Sequence, residues 1–95
     1  TENIAYIYVD STITFVVCFD GGKSTTNASL DELQTSLSGI DFYRANRQVI
    51  IAIPAIKKII KYGKSQLKIF VQPDSEIDII ISKNRAAEFK QWLNL

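Results

Sequence analysis

The stretch F-Y-R-A-N-R-Q-V-I-I-A-I-P-A-I, residues 42–56, says the most about how this chain folds and what it can contact. Three side chains that can donate hydrogen bonds in pairs, Arg44, Asn46 and Arg47, fall within four residues, and Gln48 adds another donor. Arginine matches the paired acceptors of guanine or of a phosphate, and asparagine or glutamine can pair twice with adenine. The segment therefore predicts a group of donors that faces an acceptor-rich partner.

Apolar residues on both sides of these donors predict a loop held between two strands. We expect a turn-like loop over residues 42–48 and a buried strand over residues 49–53. Pro54 ends or bends that strand, because proline cannot donate to a ladder. The isoleucines that follow fit helical and strand spacing equally well, and the pattern leaves both open for Ile56, Ile59 and Ile60.

The rest of the chain predicts short strands joined by polar turns. Runs of β-branched and aromatic residues, or clean alternation, predict further strands over residues 4–9, 13–19, 23–26, 67–72 and 77–81. Ser29 and Glu32 form a capping box that opens a short helix, and Gly39 ends it. Ser82 caps a C-terminal helix whose buried face includes Phe89. The fold class is therefore mostly β.

The length of 95 residues fits one domain, and we expect residues 1–95 to form it. The chain has no methionine, which indicates a piece cut from a longer protein. No apolar run approaches the roughly 20 residues of a membrane helix, so we expect no membrane contact from this segment. The lone Cys18 lies in an apolar run and is predicted to be a buried small hydrophobe, in a reducing, cytoplasmic setting.

The side chains of this sequence give little support to catalysis. Histidine is absent, which removes the commonest general base and any Cys–His pair for Cys18. The carboxylates are spread singly over turns and helix ends, with no pair in apolar surroundings that would separate their pKa values. We therefore expect no enzyme activity, no cofactor and no metal site.

The charges are distributed unevenly along the chain although the net charge is only +1. Up to Asp41 there are six acids and one base, whereas residues 42–73 hold seven bases and no acid. A block of one sign creates a local positive field, and Lys57 and Lys58 in it suit phosphate contacts. The alternative is a solvated face that keeps a β-rich protein soluble, and charge alone leaves the two readings open.

Three polar clusters lie at the ends of predicted strands: Ser11–Thr12 with Thr14, the donors of residues 44–48, and Ser82–Arg85. Each alone has a plain interpretation as a turn, a solvated loop or a helix cap. The second is harder to explain in that way, because its donors have no acid nearby in the sequence and would repel one another without an anionic partner. The third places two positive charges near a helix N-terminus, where the helix dipole disfavours them.

The chain resembles the LytTR family of DNA-binding domains over nearly its whole length. The resemblance begins with the aromatic strand I-A-Y-I-Y at residues 4–8 and includes the S-L-D-E-L helix at residues 29–33. It continues with F-Y-R-A-N-R-Q at residues 42–48, the I-x-x-I stretch at residues 56–59, and the closing I-S-K-N-R…F-K-Q-W-L. The resemblance implies an elongated, antiparallel β domain that reads duplex DNA with loops and often follows a receiver domain in response regulators.

Carried over by position, the contacting loops of that family fall on Thr12 or its neighbours, on Asn46 and Arg47, and on Lys83, Asn84 and Arg85. The chain departs from the family pattern at several of these positions. Asn46 stands where the family often has histidine, Gln48 where it has serine, and Ala52 where it often has asparagine. The arginine pair expected after the serine of the last strand is Lys83–Asn84 here, with arginine one place later.

The sequence thus predicts a LytTR-like domain that binds double-stranded DNA as the output module of a transcriptional response regulator. A homodimer on repeated sites and an N-terminal receiver or sensor domain in the full protein are expected with it. The predicted DNA-binding residues are Thr12, Arg44, Asn46, Arg47, Gln48, Lys57, Lys58, Lys83, Asn84 and Arg85. The alternative is a small β-rich module that binds a protein partner or dimerises and has no role with nucleic acid.

Overall fold

Two antiparallel sheets and two short helices make up the computed structural model, which describes residues 3–93. The strands are β1 (Ile4–Asp10), β2 (Ile13–Cys18), β3 (Lys23–Thr26), β4 (Phe42–Asn46), β5 (Val49–Ala52), β6 (Ile56–Tyr62), β7 (Gln66–Val71) and β8 (Ile79–Ile81). The helices are α1 (Leu30–Ser36) and α2 (Lys83–Trp92), and a single 3-10 turn spans Ile53–Ala55. The predicted mostly β fold is confirmed, and its principal extents are 34 × 26 × 24 Å.

The larger sheet has five strands in the order β3-β2-β1-β5-β4, and the smaller has three in the order β6-β7-β8. In the larger sheet β1 is central, and the segment Ala5–Tyr8 is buried although its residues alternate between faces. One face packs on the small sheet and α2, through a core that includes Tyr6, Ile69 and Phe89. The other face is covered by α1, whose Leu30 packs with residues of β1 and β5. Cover on both faces explains why β1 reads as a continuous apolar run.

Several local predictions are confirmed by the structure. Ser29 and Glu32 form the capping box, each side chain accepting from the other residue's backbone N–H at 3.1 Å. Strand β5 ends at Ala52, and Pro54 is the second residue of the 3-10 turn that follows. Leu67, Ile69 and Val71 of β7 alternate into the core as expected. The stretch from Ile56, which the sequence left open between helix and strand, is strand β6.

The loop predicted over residues 42–48 is wrong, because residues 42–46 are strand β4 and only Arg47 and Gln48 form a turn. Tyr43 and Ala45 point into the core, while Arg44 lies on the opposite face. The alternation of polar and apolar residues here is therefore that of a strand with one face on the core.

The end of α1, the start of the last strand and the burial of Cys18 also differ from the predictions. Helix α1 ends at Ser36, before Gly39, because Leu37 already has extended dihedral angles. The last strand covers Ile79–Ile81 and not all of residues 77–81. Cys18 is half-buried rather than fully buried. No helix within residues 3–93 has both the length and the apolarity to cross a membrane.

Candidate nucleic-acid interface

Two turns of the larger sheet lie side by side at one end of the neighbouring strands β1 and β5. Antiparallel pairing of Tyr8 with Val49 brings the end of β1 next to the start of β5. The backbone N–H of Val9 donates to the carbonyl of Gln48 at 2.8 Å, which fixes this neighbourhood. Thr12 and Arg47 consequently line the same open cavity of about 680 Å³. The first two predicted clusters are thus brought together.

The third cluster reaches the same end of the molecule from the small sheet. Asn46 donates through Nδ2 to the carbonyl of Ile80 in β8 at 3.0 Å. Arg85, in the first turn of α2, donates to the carbonyls of Arg44 and Ala45 at 2.6 and 3.3 Å. The start of α2 therefore lies beside the β4–β5 turn. We call this surface the turn edge and define it by the exposed residues Thr12, Arg47, Gln48, Lys83 and Asn84.

The β1–β2 turn has an unusual backbone conformation at the turn edge. Ser11 and Thr12 link the paired residues Asp10 and Ile13, and both have positive φ, at 52° and 69°. Two positive φ values in a two-residue hairpin are the signature of a type I′ turn, which favours asparagine and glycine. A β-branched residue such as Thr12 is strained there. Such strain often marks functional positions.

Arg44 is held inside the fold by four hydrogen bonds. Its Nε donates to the carbonyl of Asn46 at 2.7 Å, and its Nη2 donates to the carbonyl of Arg47 at 3.1 Å. Its Nη1 donates to Asp31 and Gln34 of α1, both at 2.9 Å. The expected repulsion among unpaired donors is therefore wrong for Arg44, since helix α1 supplies a carboxylate from thirteen residues earlier. The side chain thus joins the β4–β5 turn to α1.

Asn46 also serves the shape of the turn. Its Oδ1 accepts the backbone N–H of Gln48 at 2.7 Å, a local bond that asparagine commonly makes in turns. Because its Nδ2 is already bonded to the carbonyl of Ile80, both ends of the amide are engaged. The residue links the turn to the small sheet.

Arg85 holds β4 from the side opposite Arg44. Its guanidinium lies 5.1 Å from the centre of the Tyr43 ring and caps carbonyls on the free edge of β4. Glu88 accepts the Tyr43 hydroxyl at 3.0 Å and lies 3.6 Å from Arg85. Burial, and then this hydrogen bond to Glu88, raise the pKa of Tyr43. The arginine predicted to contact DNA is thus occupied by the protein's own backbone.

The side chains of the turn edge, by contrast, point outward. Thr12, Arg47, Gln48, Lys83 and Asn84 are all exposed. The side-chain hydrogen bonds and ion pairs within residues 3–93 run between other groups, such as Arg44, Asn46 and Arg85 on the turn and Lys57 with Asp74. The structure therefore separates donors that hold the turns from donors that face solvent.

Lys57 and Lys58 lie away from the turn edge, at the start of β6. Lys57 forms an ion pair with Asp74 at 3.1 Å, and the ammonium of Lys58 lies 5.1 Å from the centre of the Phe70 ring. Pairing of Lys58 with Phe70 places it at the end of the small sheet opposite the β6–β7 turn. The structure does not bring these two predicted residues together with the other clusters.

The remaining shifted pKa values belong to groups near the middle and far end of β1. Burial, with a contribution from Tyr8, raises the pKa of Tyr6 to about 12. Hydrogen bonding to Tyr8, and then to Glu76, raises the pKa of Lys23. Sequence reasoning missed two partners closer to the turn edge, Asp31 and Gln34, because their contact with Arg44 is made only by folding.

The sequence and the fold of the chain are similar to those of known proteins. The family model described as the LytTr DNA-binding domain matches residues 1–94. Among solved structures, the chain is similar to the LytTr DNA-binding domain of a Bacillus cereus protein assigned as a methyl-accepting/DNA response regulator. That match has a TM-score of 0.82 and 21% identity, and it covers 99% of this chain and 84% of the other. No curated protein matches the sequence. Since the family model spans almost the whole sequence, the chain belongs to the LytTr DNA-binding domain family.

Proposed function

We propose that this domain reads specific sites on duplex DNA through the turn edge, as the output module of a transcriptional response regulator. The observation that supports this best is that different residues of the β4–β5 turn hold its shape and face solvent. Arg44 and Asn46 bond the turn from within, while Arg47 and Gln48 are exposed. A rigid turn that presents free donors loses little entropy on binding, which favours recognition over a merely solvated surface.

Each exposed residue suits a particular role in this proposal. The planar guanidinium of Arg47 pairs with the O6 and N7 edge of guanine, and the amides of Gln48 and Asn84 suit adenine. Lys83 is a flexible point charge and contacts phosphate. Thr12 contacts the backbone or a base edge from the neighbouring turn. Arg44, Asn46 and Arg85, which the sequence also suggested as contacts, act by positioning the turn and the start of α2, and Lys57 and Lys58 receive no contact.

The surroundings of the domain complete the proposal. Residues 1–95 form one domain of a longer cytoplasmic regulator, with a receiver or sensor domain on the N-terminal side. Two copies bind repeated sites as a homodimer. The domain works by binding alone, without a cofactor or a catalytic step, in keeping with its family. The alternative of a protein-interaction module without nucleic acid has no support from the family match.

The proposal is tested by the salt dependence of DNA binding. Fluorescence anisotropy is measured with a labelled duplex at several salt concentrations, after selection of a preferred site from a random library. The logarithm of the association constant should fall linearly with the logarithm of salt, by about 0.9 for each phosphate neutralised. Enrichment of a sequence motif with such a slope supports the proposal. Failure to bind any duplex at low salt refutes it.

A further inference from the structure

A groove runs between the start of α2 and the β6–β7 turn. It has a volume of about 450 Å³, and its apolar lining residues are Leu67, Ala86 and Ala87. Lys83, Ala87 and Lys90 lie on one face of α2, because positions four and seven residues apart share a helix face. Lys61 faces them from β6, where it pairs with Leu67 of β7.

The lining of this groove is basic. Lys61, Lys83 and Lys90 line it, and no acidic residue does. All three are exposed, and the ion pairs formed within residues 3–93 involve other lysines, namely Lys23, Lys57 and Lys68. Three like charges around one groove repel each other at low ionic strength, so an anionic occupant relieves that repulsion.

The groove is continuous with the turn edge through Lys83, which belongs to both. The flanking strand of a duplex whose bases contact Arg47 would reach this groove if the duplex runs along α2. The apolar side chains that line the groove suit the hydrocarbon stems of the lysines and the deoxyribose, while the ammonium groups suit phosphates. A base-reading site would need planar, paired donors, which lysine lacks.

We propose that this groove binds the sugar–phosphate backbone of duplex DNA that flanks the bases read by the turn edge, with Lys61 and Lys90 as its principal contacts. The inference rests on the proposed function. It reassigns the phosphate contacts of the lysine-rich block from the start of β6, where Lys57 is paired with Asp74, to the opposite end.

The experiment compares two double variants that remove the same charge. Lys61→Gln/Lys90→Gln alters the groove, and Lys57→Gln/Lys58→Gln is the matched control, altered about 10–13 Å from Lys61 at the start of the same strand. Thermal melts first establish that both retain the parent stability, as exposed substitutions usually do to within about 0.5 kcal/mol. Binding of a fluorescein-labelled 30-bp duplex of random sequence is then titrated at several salt concentrations.

Loss of two phosphate contacts should make the salt slope of the groove variant shallower by about 1.8 and weaken binding at least tenfold at 0.1 M salt. The control variant should keep the parent slope. An unchanged slope for Lys61→Gln/Lys90→Gln, or an equal change in both variants, overturns the inference while the parent's own binding still supports the proposed function. Loss of affinity for a polyglutamate peptide, with an unchanged DNA slope, would assign the groove to an acidic protein partner and overturn it as well. A parent protein that binds no duplex overturns both.

Discussion

Replacing Arg44 with alanine should destabilise the domain, whereas replacing Arg47, three residues later, should not. Arg44 donates to the carbonyls of Asn46 and Arg47, and its side chain is only 16% exposed. Hydrogen bonds from a charged donor contribute about 1.5 kcal/mol each at the low end of their range. The ion pair with Asp31 adds at most about 0.5 kcal/mol, because that carboxylate is 89% exposed.

These contributions sum to a loss of about 3–3.5 kcal/mol in the free energy of unfolding for Arg44→Ala. For a domain of this size the melting temperature should fall by about 12–28 °C. Arg47→Ala removes an exposed side chain and should change stability by less than about 0.5 kcal/mol. It should instead cost about 1–3 kcal/mol of binding free energy on the selected DNA site and much less on random duplex.

The assay pairs urea or thermal unfolding, followed by circular dichroism, with anisotropy on both DNAs, for both variants. The two effects should separate: stability for Arg44, sequence discrimination for Arg47. An Arg44→Ala protein with the melting temperature of the parent would show that the hydrogen bonds of Arg44 contribute nothing to stability. A large drop in melting temperature for Arg47→Ala, or an equal loss on specific and random DNA, would show that Arg47 does not read a base.

Three further outcomes follow from the structure. Ser11→Asn/Thr12→Gly should raise the free energy of unfolding by about 1 kcal/mol, because a type I′ turn then carries its preferred residues, while DNA affinity falls if Thr12 makes its proposed contact; a melt and a titration check both. Arg85→Lys keeps the charge but cannot reach both β4 carbonyls, so unfolding should become easier by about 1 kcal/mol with the salt slope of DNA binding unchanged. Alkaline unfolding should depend on Tyr6, whose pKa is raised to about 12. Below pH 10 this tyrosine is protonated in both states and the shift has no effect. Between pH 10 and 12 the unfolded chain loses the proton first, so stability falls as pH rises. Tyr6→Phe also loses the hydrogen bond to the Asp74 carbonyl, but its free energy of unfolding, measured by urea unfolding at pH 9 to 12, should fall less steeply with pH. The same dependence on pH as in the parent would contradict the assignment.

Local sequence rules predicted the parts of the fold that depend on local chemistry. The capping box at Ser29, the strand end before Pro54 and the alternation of β7 all follow from interactions within a few residues, and all are confirmed. The isoleucines of β6 could not be assigned, because strand and helix spacings overlap over so short a run, and the pairing with β7 decides.

The candidate site was harder to predict, for a tertiary reason. Arg44 and Asn46 look like loop residues because they are polar. Their neighbours Tyr43 and Ala45 are nevertheless buried, as the alternation of a strand requires. The groups that engage them come from α1 and β8, which the sequence does not mark as neighbours. The sequence could collect the polar residues at strand ends, but only the fold shows which of them are already bonded.

The β4–β5 turn has one more consequence, for protein engineering. Its shape is maintained by Arg44 and Asn46 on β4, while the two residues at its tip face solvent. Positions 47 and 48 can therefore be randomised together in a library without loss of the scaffold, as long as the two supporting residues are kept. Variants selected on altered DNA sites would then differ in what they recognise and share one melting temperature. The two tip residues of this hairpin can thus be exchanged while the rest of the domain keeps its fold.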